Sequence, residues 1–298
     1  MKKNMLLLNT VRGVKKSPGR FVAILTIIAI GCAFYAGLSA VSTDLKNSGW
    51  KYYREYALAD VQIKSTLGFN GDEIEKLSDG EHFDSGYAGY SADLFVENNG
   101  GQSAVTVLSY SADQPLNKLY LMEGRLPEKA GECVADYDSM HKISFKIGDT
   151  VKLSADGDND VADYLNQSEY TVVGLVKSPV YVSYDRGSTT IGTGSVSAFI
   201  YVPEENFAYD AYTDLYLSVT GAMDESVKPF SDEYNDIVAA AEEYAEGMSA
   251  QLLSERSDEI RADADEQIAD AKEKLADGQK KYDDAKKDYD KGLNEYNK

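Results

Sequence analysis

The feature that most constrains this chain is an uninterrupted apolar segment near its N-terminus. Phe21 to Val41 reads FVAILTIIAIGCAFYAGLSAV, 21 residues without a charged side chain. As a helix rising 1.5 Å per residue, it is long enough to cross a hydrocarbon core of about 30 Å. Cleaved signal peptides have shorter apolar regions and end in a small-x-small site, whereas cleavage after Ala40 would put Leu38 at the −3 position. The sequence therefore predicts a membrane protein with a retained transmembrane helix at residues 21–41.

Charge is distributed very unevenly around this segment. Residues 1–20 carry a net charge of +6 with no acidic residue, whereas the whole chain carries −20, which leaves −26 on the remainder. By the positive-inside rule, residues 1–20 are expected in the cytoplasm and Ser42 onward outside the cell membrane. The acidic outer part lacks the basic face that nucleic acid binding requires, so nucleic acid is excluded as a partner.

Two further features accompany the membrane segment. Ala29, Ala33 and Gly37 recur every four residues and share one helix face, where small side chains allow a second helix to approach closely. The alternative is that this face simply contacts lipid. Before the segment, apolar Met5 to Leu8 is followed by basic residues, which predicts a short helix on the cytoplasmic membrane surface.

After the membrane segment, the pattern changes to short strands and turns. The predicted strands are rich in Val, Ile, Tyr, Phe and Thr. They are residues 59–64, 93–97, 103–110, 170–176, 197–202 and 214–220. Asn98 to Gly101 reads as a hairpin turn between the second and third of them. A short helix is expected at Asp72 to Leu77 with Asn70 as its cap, and a longer one at Asp224 to Met248, interrupted early by Pro229. Strands interspersed with helices predict an α+β domain.

Histidine and cysteine are too sparse for common catalytic or metal sites. His82 and His141 are the only histidines, and neither has a Cys or a second His near it in sequence. Cys32 lies in the apolar segment and Cys133 beyond it, so a disulfide between them is not expected. The chain also has no nucleophile elbow, phosphate-binding loop or dinucleotide fingerprint. We therefore predict no catalytic residue, no metal site, no cofactor and no enzymatic activity.

One acidic stretch partly resembles a calcium-binding loop. Asp156, Asp158 and Asp160 alternate as the first ligands of such a loop do. Val161 stands where the loop requires glycine, and Gln167 where it requires glutamate. A solvated polar loop is the expected structure.

The segment from Leu121 to Leu153 resembles the core motif of MacB-type periplasmic core domains. The apolar segment with its basic leader, and the stretch from Tyr170 to Gly187, are also similar to parts of that family. In the motif, glycines suit turns with positive φ and a proline fixes a loop, so these residues are expected to be structural. The family pattern also implies a strand that opens after Gly131, and the apolar alternation after Asp149 predicts another strand. The matching residues are Glu123, Gly124, Arg125, Pro127, Gly131, Glu132, Gly148, Asp149 and Val151.

These domains are the outer domains of FtsX-like ABC transporter permeases. The resemblance therefore implies a permease subunit that works with a separate cytoplasmic ATPase and with a second permease copy or paralogue. It implies that the membrane helix relays ATP-driven motion outward, for export or extraction of a substrate. Such permeases carry three more transmembrane segments after the outer domain, which do not occur in these 298 residues.

The last fifty residues carry a heptad repeat. The seam, the line of heptad positions that faces a partner in a coiled coil, has large residues alternating with small ones. This pattern predicts a coiled-coil helix that pairs with a second helical strand. The seam consists of Ile268, Ala271, Leu275, Gly278, Tyr282, Ala285, Tyr289, Gly292 and Tyr296. Some Gram-positive FtsX-like permeases carry a coiled-coil hairpin in this domain. We therefore expect these residues to be one arm of such a hairpin, and the chain to be an N-terminal fragment of a permease. The alternative is a solvated, charge-rich single helix.

The predicted organisation has four parts. The leader is residues 1–20, the membrane helix residues 21–41, the MacB-type domain residues 42–248 and the coiled-coil helix residues 249–298. Two other functional hypotheses remain. One is an FtsX-like regulatory scaffold that activates a cell-wall hydrolase. The other is a single-pass surface-anchored protein whose coiled coil binds an extracytoplasmic partner.

Overall fold

The computed structural model of the protein describes residues 2–78, 80–98, 101–138, 143–224, 226–228 and 230–296. Its helices are α1 (Lys2–Lys16), α2 (Pro18–Glu55), α3 (Gly71–Leu77) and α4 (Asp232–Tyr296). Its strands are β1 (Val61–Phe69), β2 (Phe83–Gly89), β3 (Ser91–Asn98), β4 (Gly101–Tyr110), β5 (Tyr120–Gly124), β6 (Glu132–Asp136), β7 (Thr150–Ser154), β8 (Glu169–Lys177), β9 (Ala198–Pro203) and β10 (Tyr212–Val219). The predicted α+β class is confirmed.

Helix α2 contains the predicted membrane segment and extends well beyond it. It has 38 residues, about 57 Å of helix, and it is the one helix in the described part of the chain that is long and apolar enough to span a membrane. The expected change to strands at Ser42 is wrong, because the helix continues to Glu55. The sequence after Val41 becomes polar but contains no proline until Pro115, and loss of hydrophobicity does not by itself end a helix.

Three strands form a small antiparallel sheet in the order β1-β10-β2. Helices α3 and α4 cover one face of it and bury an apolar layer between them and the strands. Asn70 caps α3 as predicted: its Oδ1 accepts the Glu73 N–H at 2.9 Å, and the Glu73 carboxylate accepts the Asn70 N–H at 2.8 Å. The buried layer includes Val61, Phe69, Leu77, Phe83, Leu215, Leu217, Ala241, Ala245 and Leu252.

The other seven strands form a large mixed sheet in the order β5-β8-β6-β9-β4-β3-β7, and β7 also pairs with β8. Six strands therefore close into a barrel. The first residues of β8 pair with β7, and the last residues of β8 pair with β5, which lies outside the closed ring. One face of each closing strand points into a common core, as the period-2 alternation of a strand requires. This core includes Leu94, Val96, Val105, Val107, Cys133, Ala135, Val151, Leu153, Tyr170, Val172, Ala198 and Ile200.

All six predicted strands are present, with boundaries shifted by a few residues. The predicted hairpin joins β3 to β4, whose register ends at Asn98 opposite Gly101; residues 99 and 100 of the turn lie outside the described part. Four strands are not among the six candidates: β6 and β7 correspond to the strands expected in the family motif, whereas nothing in the sequence analysis predicted β2 and β5. Strand β2 contains two glycines, and β5 is only five residues long, so neither carries a strong strand pattern.

Helix α4 unites two segments that the sequence analysis separated. It begins at Asp232, later than the predicted Asp224, and continues without a break through Tyr296. Pro229, the expected interruption, lies outside the described residues. The buried contacts of α4 with the small sheet extend to Leu252, past the predicted boundary at residue 248. The segment predicted to form a coiled coil is thus a direct extension of a helix already anchored in the α+β domain.

Candidate functional site

The end of α2 docks on the α+β domain through a cluster of aromatic side chains, here called the helix junction: Trp50, Tyr53, Phe230 and Tyr234. Trp50 is 7% exposed, and its ring lies edge-on to Tyr234 and Phe230 with centroid distances of 5.2 and 5.7 Å. Tyr53 meets Phe230 at 6.1 Å. Such edge-to-face pairs contribute about 0.5–1.5 kcal/mol beyond the burial of area. The membrane helix and the start of α4 are therefore packed together.

The backbone that leaves α2 is also fixed. The Asn117 N–H donates to the Ala57 carbonyl at 2.7 Å, and the Asn117 side chain accepts the Ala59 N–H at 3.0 Å. Buried Gln114 donates to the Asn117 carbonyl at 2.9 Å. Ala57 and Asn117 both have positive φ, +48° and +54°, a conformation that non-glycine residues hold only where surrounding contacts impose it. The exit from the membrane helix is thus a defined turn.

A partly buried carboxylate joins three elements beside this junction. Asp60 precedes β1, and its two oxygens accept the Tyr234 hydroxyl from α4 and the Val219 N–H from β10, both at 2.9 Å. Burial raises the pKa of Asp60, and these two hydrogen bonds oppose the rise because they favour the charged form. The first strand, the last strand and the long helix therefore meet at one residue.

A buried ion pair, missed by the sequence analysis, holds a long loop against the barrel. Arg186 Nε and Nη2 donate to the two oxygens of Asp136 at 2.6 and 2.9 Å. Arg186 Nη1 also donates to the carbonyls of Tyr181 and Ser183. Desolvation raises the pKa of Asp136, although the Arg186 guanidinium favours the ionised carboxylate. Asp136 and Arg186 are 50 positions apart in the sequence, which explains why no local pattern indicated this pair.

The family motif forms a pair of turns. Arg125 and Glu132 make a two-pronged ion pair, with N–O distances of 2.5 and 2.7 Å, and the Arg125 guanidinium lowers the pKa of Glu132 to about 2. Gly124 has φ +79°, and a Cβ there would lie 2.3 Å from the Val173 oxygen.

The remaining motif residues lie close by. Gly148 has φ +93°, and the Asp149 carboxylate accepts the Lys146 N–H at 2.9 Å. Gly131 has φ +81°, and Pro127 is buried. The side chains make the contacts expected of turns.

Those residues considered for metal or catalytic sites that the structure describes do not converge. His82 stacks on Tyr244 with a centroid distance of 3.9 Å, whereas His141 lies outside the described residues. Asp160 caps a short turn by accepting the Ala162 N–H at 3.1 Å. Within the described ranges, no group of three or more His, Cys, Asp or Glu side chains could hold a metal ion.

Two faces predicted for helix pairing are open. Ala29, Ala33 and Gly37 are exposed on α2, and no described residue lies near the space a Gly37 side chain would fill. Along the α4 seam, large side chains are 50–73% exposed; the Tyr296 side chain lies outside the described part. These exposed large residues are Ile268, Leu275, Tyr282 and Tyr289.

A helix long and apolar enough to span a membrane, joined to a mixed α+β domain, is the arrangement of a membrane-anchored protein. Residues 21–275 match the family model of the MacB-like periplasmic core domain. Because the match covers most of the chain, the protein belongs to this family, a family of the ABC transporter permease type. No curated protein matches the sequence.

Two solved structures are among those that match parts of this chain. The extracellular domain of the noncanonic ABC-type transporter YknZ from Gram-positive bacteria is 13% identical, with 53% of this chain and 76% of that chain covered and a TM-score of 0.32. The periplasmic region of MacB from Actinobacillus actinomycetemcomitans is 12% identical. The match covers 61% of this chain and 76% of that chain, with a TM-score of 0.32.

Proposed function

We propose that the protein is the membrane-spanning permease subunit of an ABC transporter, which relays motion from a separate cytoplasmic ATPase to its outer domain for export or extraction of a substrate. The observation that carries this proposal is the helix junction. Helix α2 runs unbroken from Pro18 to Glu55, and Trp50 buries its end against Tyr234 of α4. A continuous helix clamped at one end transmits a shift or rotation instead of absorbing it at a hinge.

The orientation follows from charge. The basic leader, residues 1–20, and helix α1 belong on the cytoplasmic side, where an ATPase can contact them. The α+β domain and α4 then lie outside. A second permease copy or paralogue packs against the small-residue face of α2, formed by Ala29, Ala33 and Gly37, because its backbone allows close helix contact.

The proposal is tested by purifying the tagged protein from its native membrane in mild detergent. We expect an ABC ATPase to be recovered with it, and ATP hydrolysis to change the spin-label distance between α1 and the α+β domain. Trp50→Ala is expected to retain the ATPase and lose the distance change, whereas Lys51→Ala, an exposed neighbour, retains both. Failure to recover an ATPase, or a distance change unaffected by Trp50→Ala, would contradict the proposal.

The exposed seam of α4 favours a second candidate function. Exposed apolar side chains at heptad spacing are stabilised when they pack against another helix. We therefore propose that α4 is one strand of a coiled coil, and the scaffold and surface-anchor hypotheses give that coiled coil an extracytoplasmic protein as partner. Recovery of a cell-wall hydrolase, lost on Leu275→Asp, would support the regulatory scaffold over the transporter.

A further inference from the structure

A small cavity lies between the two sheets, beside the turn at which the chain leaves α2. Its volume is about 10 Å³. Tyr87 of β2 and its cross-strand neighbour Tyr216 of β10 line it from the small sheet, on the face opposite the layer that α3 and α4 cover. Ser109 of β4 lines it from the large sheet, and Asn117 lines it from the exit turn. A buried water molecule needs about 10–15 Å³, so the cavity has room for one water and for no larger ligand.

Two polar atoms of these lining residues are buried without a hydrogen-bond partner among the residues that the structure describes. They are Tyr87 Oη and Asn117 Nδ2. The Asn117 side chain is only 4% exposed, and its orientation is fixed because Oδ1 accepts the Ala59 N–H at 3.0 Å. Buried polar groups in folded proteins are almost always paired, either with protein or with ordered water. Both atoms therefore need a partner small enough to fit between them.

The neighbouring hydroxyl groups do not supply this partner directly. Ser109 Oγ accepts the Tyr90 N–H at 2.8 Å, and Tyr216 Oη accepts from Gln62 at 3.3 Å. Burial raises the pKa of Tyr87 to about 12, and the Ser109 hydroxyl is close enough to oppose this rise. Even so, Tyr87 Oη makes no direct hydrogen bond to it. Polar atoms that approach one another without direct contact are typical of a site bridged by water.

We propose that this cavity binds one water molecule as a fixed part of the fold, and that the water ties the α2 exit turn to the small sheet. It accepts from Asn117 Nδ2 and from the Tyr87 hydroxyl, and its own protons go to the oxygens of Ser109 and Tyr216. Buried waters typically make about three hydrogen bonds, so this set of partners is sufficient. Because the Asn117 N–H also donates to the Ala57 carbonyl, the turn that follows α2 is held to β2 through the water. The inference does not depend on the proposed transport function.

The first test is the sign of a stability change, measured as the melting temperature of the full chain in detergent micelles. Tyr87→Phe removes one hydroxyl and leaves the ring in place. If the water is bound, it loses a hydrogen bond, and we expect the melting temperature to fall by about 2–4 °C. If the cavity is dry, the hydroxyl is an unpaired buried group. Its removal would then leave the melting temperature unchanged or raise it, which would contradict the proposal.

Tyr170 in the barrel core provides a matched control. Its hydroxyl is also buried without a partner among the described residues, but Tyr170 does not line this cavity. Tyr170→Phe is therefore expected to leave the melting temperature unchanged or to raise it. Equal falls in the two variants would show that the loss at Tyr87 does not come from this site, and would overturn the proposal.

The link to the exit of α2 is tested by hydrogen–deuterium exchange. The Ala59 N–H is protected by Asn117 Oδ1, and the water holds the other end of that amide. Tyr87→Phe is therefore expected to accelerate exchange at residues 57–59, whereas Tyr170→Phe is not. Unchanged exchange at these residues in Tyr87→Phe would show that the water does not tie the turn to the small sheet.

The water itself is observable in a crystal structure of the full chain at a resolution that shows ordered waters. We expect one density peak within hydrogen-bond distance of both Tyr87 Oη and Asn117 Nδ2. An empty cavity in a map that shows other buried waters would overturn the proposal. A direct hydrogen bond between Tyr87 and Asn117 would do the same.

Discussion

Trp50, near the end of the membrane helix, lies edge-on to Tyr234, in the first turn of α4, with ring centroids 5.2 Å apart and planes at 85°. The same Tyr234 donates its hydroxyl proton to Asp60 at the start of the small sheet. One aromatic contact therefore links the membrane helix to both the long exposed helix and the sheet beneath it.

Removal of this contact is expected to loosen the docking of α2. Trp50→Ala should destabilise the packed junction by about 3–5 kcal/mol, the range for truncation of a large buried aromatic residue. Hydrogen–deuterium exchange should accelerate in residues 45–55 and in the first turns of α4. Trp50→Phe should restore most of the protection, and unchanged exchange in Trp50→Ala would show that the ring does not hold the two helices together.

The pair Arg125–Glu132 predicts a specific acid dependence. The folded-state pKa of Glu132 is lowered from 4.5 to about 2, so the pair stabilises the fold above about pH 4.5, and this contribution is lost as pH falls towards 2. Glu132→Gln should therefore reduce stability at pH 6 and have little effect near pH 2. Chemical denaturation across this range measures the difference, and a constant effect at all pH values would contradict it.

Two motif glycines provide a matched comparison of backbone strain and steric crowding. Both have positive φ, so alanine at either position incurs about 1–2 kcal/mol of backbone strain. A Cβ at Gly148 meets open space, whereas one at Gly124 lies 2.3 Å from the Val173 oxygen. Gly124→Ala should therefore lower the melting temperature much more than Gly148→Ala. Equal losses would show that the close approach to β8 does not matter.

Membrane topology is testable with an engineered cysteine. Ser48 is exposed on α2 beyond the apolar segment, so Ser48→Cys in a Cys32→Ser chain should react with an impermeant maleimide in intact cells. Native Cys133 is unsuitable as an outside reporter, because it is fully buried and burial raises the pKa of its thiol to about 12. An Arg12→Cys control should react only after lysis, and the reverse pattern would invert the proposed orientation.

The α4 seam also predicts the behaviour of an isolated segment. A peptide of residues 255–298 should be weakly helical when dilute, because nucleation is costly, and should gain helix as it associates. Circular dichroism at increasing concentration measures this. Leu275→Asp should abolish the gain, whereas Glu273→Asp, outside the seam, should preserve it. A rigid monomeric helix at all concentrations would exclude a role for the seam in pairing.

The sequence by itself determined the features that depend on local pattern. The uncharged segment from Phe21 to Val41, the Asn70 cap and the hairpin between β3 and β4 each depend on neighbouring residues, whose spacing carries the information. Positive φ at Gly124 and Gly148 was likewise predictable, because the backbone at such turns favours glycine. The motif also indicated the strands that follow Gly131 and Asp149.

Only the tertiary structure decided which distant segments meet. Nothing local in α2 shows that its helix continues to Glu55, since its last turns are stabilised by burial of Trp50 against residues far along the chain. Arg186 is charged and would read as a surface residue, yet it pairs with buried Asp136, which offsets the desolvation of both groups. Closure of the barrel through β7 and β8 likewise depends on which strand edges remain free once the others have paired. Local periodicity specifies an element, but its partner is selected by the burial and hydrogen bonding of the whole fold.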